Sequence, residues 1–453
     1  MTVMDHAAPV RAPGLAVTAL FTAMFAVMLN VSIINVALTA IGTDLQVGMS
    51  GLQWVVNAFT LVFAMLLLPG GVVGDRFGLR SAFLLSLVLF TAGSLVCTLA
   101  PNLAVLLAGR VLQGAAGGLL LPASLALIAV LFPDPARRAR FIAVWSSLNG
   151  LAVAVGPVLG GWLTDAFGWP AIFAVSVPIG LAALAVAAAT LRLPAIPAQG
   201  GRIDVAGVIL SLVWVGALTY ALTEGPTRGW GSPLVVALLA GAAVALAAFV
   251  WVERGETRML PLSLFRNFTF SGANVGAFAV GFAPFAAFVF FSLYLQRVLG
   301  FSALSTGVAL LPAAGVMALT SPLAGALVAR RGVRLPLSGG LAVAASGLLG
   351  AGLVDGYPLL AVMLAVFGFG LGLTLTPVNA AALASVPRQR AGVASAAVNT
   401  TRQVGMVLGV AVLGAVLSSV PGPDGFRSVF VVAALVAGLA AALTAVFIRP
   451  ARD

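Results

Sequence analysis

Residues 81–133 read SAFLLSLVLF TAGSLVCTLA PNLAVLLAGR VLQGAAGGLL LPASLALIAV LFP, and the only charge among them is Arg110. One α-helical membrane crossing takes about 20 apolar residues. The stretch is long enough for two crossings, and Pro101-Asn102 supplies the break between them. Working outward, charged residues divide the rest of the chain into blocks 12–43, 45–74, 141–164, 166–191, 205–223, 229–252, 267–296, 298–329, 335–354, 356–387, 391–423 and 428–448. Each holds one span, so the expected total is fourteen, numbered 1–14 in chain order. Only Arg110 and Arg402 fall inside a block. The chain is 61% hydrophobic and 8% charged, with a mean hydropathy of +1.15. Soluble domains sit near ~45–50% apolar and ~25% charged. No loop is long enough for a separate soluble domain.

The net charge of +11 would suit a nucleic-acid partner, but its distribution argues against one. Alternating spans from a cytoplasmic N-terminus place only Arg228, Arg297 and Arg427 in outer loops, and only Arg110 and Arg402 within spans. The others of the 23 basic residues, all arginine, fall on inner loops and tails. Such a bias orients membrane proteins, and it puts both termini in the cytoplasm. The single cysteine, Cys97, lies in a span, and the single histidine, His6, lies in the N-terminal tail. No disulfide, metal or cofactor is therefore expected. A phosphate-cradling G-x-x-x-x-G-K-(S/T) loop needs a lysine, and the chain has none. The first apolar block is long enough to remain as a span, so no cleavable leader is expected. An all-arginine, Ala/Gly-rich composition points to a GC-rich bacterial genome.

The chain repeats itself. Gly71-Val-Val-Gly-Asp75-Arg76-Phe-Gly78-Leu-Arg80 follows span 2, and Gly325-Ala-Leu-Val-Ala329-Arg330-Arg-Gly332-Val-Arg334 follows span 10. Gly156-Pro157-Val-Leu-Gly160 in span 5 matches Gly405-Met-Val-Leu-Gly409 in span 13. Both pairs are offset by eight spans. Two six-helix halves of like orientation, with two spans inserted between them, account for that offset. The expected divisions are 1–191 for spans 1–6, 192–266 for spans 7–8 and their loops, and 267–453 for spans 9–14. The Pro/Gly-rich stretch 192–203 leads into span 7, and the charged stretch 253–266 is expected to form a short amphipathic piece before span 9.

These residues carry a resemblance. The 71–80 loop resembles the signature between spans 2 and 3 of the major facilitator superfamily. Arg110-Val-Leu-Gln113-Gly114 with Gly117-Gly118, and Gly150 with Gly156-Pro157-Val-Leu-Gly160-Gly161, resemble that superfamily's span 4 motif and the span 5 motif of its antiporters. Leu222-Thr-Glu224-Gly225 and Trp230-Gly231, with fourteen spans, are similar to its fourteen-span drug:proton antiporter branch. The resemblance implies an all-α polytopic protein of major facilitator fold, with two six-helix halves plus a two-helix insert. It implies a secondary active exporter of hydrophobic small molecules, a multidrug or antibiotic efflux carrier, working by alternating access in a bacterial cell membrane. It also implies a conformational latch at Gly71, Asp75, Arg76, Gly78 and Arg80. Arg110 would take part in proton transfer. An uncoupled facilitator or an importer of a neutral or anionic solute is the alternative, and a membrane-embedded enzyme or sensor is a more distant one. A monomer is expected.

Read as chemistry, the same residues agree. Gly71 and Gly78 allow tight turns and close backbone approach, and Asp75 can accept from helix-end amides or pair with an arginine. Pro157 bends its helix, and Gly156, Gly160 and Gly161 allow close packing there. Charges and amides within spans face a cavity or one another. The candidate substrate cavity is therefore Asn30, Asn35, Gln53, Asn57, Arg110, Gln113, Asn149, Asn274, Asn379, Asn399 and Arg402. The resembling family has an acid in span 1 where this chain has Asn30, a tyrosine in span 2 where it has Phe59, and a Trp-Arg-Trp pattern before span 6 where it reads Trp169-Pro170-Ala171. An amide does not exchange a proton at physiological pH. Proton coupling would then use an acid at a span end, such as Asp75 or Glu224, or a proton carried on the substrate. Two arginines without a deep acid favour neutral or anionic solutes over cations. Cells producing the protein should accordingly show no proton-dependent efflux of ethidium above control cells; strong efflux of that permanent cation would refute the charge preference.

Overall fold

The computed structural model describes residues 13–191, 204–254, 262–387, 390–420 and 422–448. Fourteen helices among them are long and apolar enough to cross a membrane: Gly14–Asp44, Met49–Phe77, Leu79–Thr98, Leu103–Leu131, Gly150–Phe167, Ala171–Thr190, Val205–Arg228, Pro233–Val252, Phe268–Arg297, Ala303–Arg331, Arg334–Leu353, Tyr357–Ala384, Ala391–Ser419 and Pro423–Phe447. The count and order are those of the apolar blocks. In hydrocarbon every backbone donor and acceptor must be satisfied within its own segment, which leaves the helix as the form an isolated apolar block can take.

The ends differ from the blocks where caps override charge. The helix containing span 5 starts at Pro135, so Arg137, Arg138 and Arg140 are helical rather than loop. Asp134 caps it, accepting from the Arg137 N–H at 2.8 Å, and Pro135 occupies the first turn, where its missing donor costs nothing. Of the charged stretch 253–266, Leu262–Arg266 forms one short 3₁₀ turn. Residues 255–261 and the 192–203 connection lie outside the described residues.

The internal repeat is visible in the backbone. Gly78 and Gly332, equivalent positions of the two loops, take φ of +90° and +72°. Only glycine adopts that region without strain. Gly156 and Gly160 press on Ser32 and Ile33 of span 1, whereas Gly405 and Gly409 press on the Phe278 and Phe282 carbonyls of span 9. A Cβ at any of the four would collide with the facing helix. The same glycine-mediated contact is thus built twice, eight spans apart.

Spans 1–6 pack mainly on one another, as do spans 9–14. The two sets meet chiefly along two seams, span 5 on span 10 and span 2 on span 13, and span 1 also touches span 9. Span 7 lies against both span 2 and span 13, through Leu61, Ala64, Met65, Val215 and Val407. Span 8 packs on span 7 and buries little beyond Val235, Ala242 and Ala245. Within the second set, the long helix of span 9 carries a π-turn at Gly281–Phe285, where Pro284 cannot donate to the regular ladder.

Gly78→Ala and Gly332→Ala should each lower the unfolding midpoint in detergent, reflecting roughly 1–3 kcal/mol of backbone strain. Gly71→Ala should not, because open space surrounds its Cβ position. Equal midpoints for all three variants would contradict this reading of the loops.

Candidate functional site

The first set of spans holds a closed polar knot. Arg110 is 1% exposed. Its Nε donates to the Val55 carbonyl at 3.0 Å, and its Nη1 donates to Asn30 Oδ1 and, at 2.9 Å, to Gln113 Oε1. The guanidinium lies 4.6 Å from the centre of the Phe59 ring, a position where the ring's negative face stabilises a cation. Gln113 Nε2 donates to Ser94 Oγ at 2.9 Å, and Ser94 Oγ donates to the Phe90 carbonyl at 2.7 Å. Spans 1 to 4 are thereby tied to a single charge. Every acceptor in these bonds is neutral. Phe59 stands where the family tyrosine was expected, and its ring does without a hydroxyl what Arg110 needs from it. Asn30, where the family acid was expected, accepts from Arg110 through its amide oxygen.

Expected as cavity-lining, Asn30, Asn57, Arg110 and Gln113 are instead packed inside the first set. The reason is that a guanidinium in a span must find acceptors, and it finds them on its neighbouring helices. Asn57 is fully buried with no hydrogen-bond partner for either amide atom among the described residues; Asn30 Nδ2 and Asn35 Oδ1 are likewise buried and unpartnered. Of Asn149 only the helical backbone is described; its side chain lies outside the described residues.

The second set is more open. Arg402, Asn399 and Asn379 are partly exposed. Arg402 Nη2 donates to Asn399 Oδ1 at 2.8 Å, and its guanidinium lies 5.8 Å from the Phe285 ring centre, at the end of the π-turn. Thr401 Oγ1 donates to Asn274 Oδ1 at 2.9 Å, and Asn274 returns its amide to the Phe270 carbonyl. Asn379 and Asn399 donate back to carbonyls of their own helices, Leu375 and Ser395. The arginines of the two sets therefore sit in unlike settings, one enclosed and one accessible.

Hydrogen bonds between the two sets are concentrated at one end of the bundle. Gln53 Nε2 donates to the Val410 and Ala411 carbonyls at 2.7 and 3.1 Å. Ser292 Oγ donates to the Asn35 carbonyl at 2.8 Å, and Gln296 Nε2 donates to that of Val36 at 3.0 Å. The backbone N–H groups of Ala303 and Leu304 donate to the Asp165 carboxylate. Thr400 Oγ1, 3.4 Å from the Ala64 carbonyl, is nearer the middle. Gly161 packs on the Ala303–Leu304 backbone, and Gly307 packs on Pro157 and Val158. Gln53 is thus placed as a brace across the span 2–13 seam.

The opposite end carries Asp75, and there the picture reverses: the stretch expected as a loop is helical through Phe77, so Gly71 makes no turn and the break falls at Gly78. Asp75 is exposed and makes no hydrogen bond or ion pair among the described residues. Arg76 lies over its neighbour Phe77, and Arg80 donates to the Ala188 carbonyl of its own set at 3.2 Å. Glu224, at the end of span 7, pairs with Arg228 one turn on, at 3.3 Å.

Sequence reasoning missed three acids. Asp44 accepts from Trp169 Nε1 at 2.7 Å, which gives that tryptophan a role without the expected Trp-Arg-Trp pattern. Asp165 crosses between the two sets. Glu253 is fully buried at the end of span 8, beside Gly207 and Asp204. Asp44 and Asp165 bound apolar blocks, and Glu253 ends one; read as boundaries, they were not read as functional groups.

A bundle of two related six-helix sets around glycine seams, with an arginine inside a span of each, is the plan of a membrane carrier rather than of a soluble or single-span protein. The chain belongs to the major facilitator superfamily, whose model matches residues 20–410. It is 37% identical over 399 residues to the multidrug resistance protein Stp of Mycobacterium tuberculosis strain CDC 1551, covering 87% of this chain and 74% of that protein. It is 34% identical to the methylenomycin A resistance protein of Bacillus subtilis, over 86% of this chain and 84% of that one. It is 33% identical to the tetracenomycin C resistance and export protein of Streptomyces glaucescens, over 87% and 74%. The fold matches that of an auto-inhibited POT family peptide transporter with a TM-score of 0.72 at 15% identity, covering 97% of both chains. It also matches a bacterial homologue of the human lysosomal transporter Spinster, with a TM-score of 0.70 at 18% identity, covering 96% of this chain and 97% of that one.

Arg110→Ala should destabilise the protein more than Arg402→Ala. The first removes a charged donor from three buried oxygens and leaves Asn30 Oδ1 with none, a loss of about 1–3 kcal/mol; the second frees one half-buried amide oxygen. Unfolding midpoints in detergent measure the difference, and an equal or larger drop for Arg402→Ala would contradict the enclosed knot.

Proposed function

We propose that this protein exports hydrophobic small molecules across the bacterial cell membrane by alternating access, with spans 1–6 rocking against spans 9–14. The observation that carries the reading is the one-sided closure. The described hydrogen bonds between the sets cluster toward the Asp165 end, while Asp75 at the other end is exposed and unengaged. The arginine bias assigns the Asp75 end to the cytoplasm, and with it both termini. The pathway in this arrangement opens inward. Three relatives named for multidrug or antibiotic resistance support export as the direction.

The polar groups favour a neutral or anionic solute. Arg402 is partly exposed, and the partner described for its guanidinium is the neutral Asn399 amide oxygen. With Asn30 in place of an acid, no carboxylate lies beside Arg110 to exchange a proton. Coupling then rests on acids at span ends, Asp75 and Glu224 among them. Uncoupled transport is the second reading, and Asn30 is what favours it.

Inverted membrane vesicles test both readings. Vesicles containing the protein should accumulate tetracenomycin C or methylenomycin A above control vesicles. Collapse of an imposed proton gradient should abolish that accumulation if export is coupled and leave the initial rate unchanged if it is not. No uptake of either compound, with properly oriented and folded protein, would count against export of this substrate class.

A further inference from the structure

Asp165 is exposed at the last turn of span 5, yet both its carboxylate oxygens are engaged across the seam. Oδ1 accepts from the Ala303 N–H at 3.2 Å, and Oδ2 accepts from the Leu304 N–H at 2.9 Å. Those are the first two residues of span 10, on the other six-helix set. The first amides of a helix have no acceptor in their own helix, and they carry the positive end of its dipole. Span 10 supplies part of its own cap, since Ser302 Oγ accepts from the Ser305 N–H at 3.2 Å. The helix therefore leaves two donors to an acceptor from outside, and Asp165 takes both. The approach requires missing side chains: one turn before Asp165, a Cβ on Gly161 would strike the Ala303 and Leu304 backbone, and one on Gly307 would strike the Pro157 carbonyl.

We propose that Asp165 is the outer latch of this carrier, a positioning residue that holds the outer mouth shut while the path is open to the cytoplasm. The inference rests on the alternating-access reading above. Asp75 sits at the opposite end in the last turns of span 2, and it is free in the arrangement in which Asp165 is engaged. A contact present in one state and absent in the other is what biases an equilibrium between them. Two acids at opposite ends, one engaged and one released, form such a reciprocal pair. Asp165 touches no residue of the two arginine clusters; it acts through the helix end it holds.

The test uses spin-label pairs in the full-length protein in lipid nanodiscs. Ser50→Cys with Ser419→Cys spans the outer mouth, and Ser81→Cys with Ser338→Cys spans the inner one; Cys97 is buried and stays unlabelled. Asp165→Asn keeps the size but removes the charge. It should shift the ratio of outward-open to inward-open distances by roughly two- to fivefold, the range of an exposed carboxylate at a helix N-terminus, lengthening the outer distance and shortening the inner one. Ala303→Pro should shift both distances the same way without altering Asp165, because proline is accepted at the first helical position and removes one donor. Asp165→Glu should resemble the parent. Ser302→Ala damages the same helix end without touching the seam and should leave the ratio unchanged. Parent-like distributions in both Asp165→Asn and Ala303→Pro would overturn the latch, as would an equal shift from Ser302→Ala. A parent protein with one fixed distance at each mouth would instead overturn the alternating-access reading, and the latch with it.

Discussion

Lipid offers no hydrogen bonds, and that constraint governs every functional contact in this protein. Each span satisfies its backbone internally, so the groups left for joining helices are carbonyls that can accept a second bond and amides at helix ends. The structure uses both. Gln53, Ser292 and Gln296 donate to carbonyls of facing helices, and Asp165 accepts from free helix-end amides. Glycine makes these bonds geometrically available, because side-chain reach is short and the helices must nearly touch. Gly161 and Gly307 are where they do. In such a setting the apolar effect does not drive helices together, and close packing with a few polar bonds carries the association.

The same constraint explains how much could be read beforehand. Uncharged length translates directly into spans, so the count of fourteen and their order followed from where charges fall. The offset between the 71–80 and 325–334 loops, repeated by Gly156 and Gly405, exposed the internal relation. Backbone φ at Gly78 and Gly332, and the equivalent contacts of the span 5 glycines with span 1 and of the span 13 glycines with span 9, agree with it. Less legible was the direction in which polar side chains turn. Asn30, Gln113 and Arg110 looked alike in sequence to Asn399 and Arg402, yet the first group is enclosed and the second accessible, because only three-dimensional packing decides which acceptors lie within reach. Asp165 was hidden for a different reason. Its partners are backbone amides, which every sequence contains and none advertises.

Arg110 also shows how one substitution redistributes a requirement. A guanidinium beside an acid would be neutralised and responsive to protons. Beside Asn30 it stays charged, held by the Val55 carbonyl, two side-chain amides and the Phe59 ring. Dispersing a charge over neutral dipoles stabilises it within the span. The first set of spans is thereby tied around one enclosed guanidinium, and the more exposed polar groups belong to the second.

Span 7 carries a mechanical consequence. It lies along the join of spans 2 and 13 through Leu61, Ala64, Met65, Val215 and Val407 and through the ring contact of Tyr220 with Trp54, and its hydroxyls at Ser211 and Thr219 are turned back on the Gly207 and Val215 carbonyls of its own helix. Aliphatic surfaces have no directional register, so sliding them costs far less than breaking a polar bond. Among the described residues no hydrogen bond joins the inserted pair to either set, so a rocking of the sets would break no polar bond where span 7 covers the span 2–13 join.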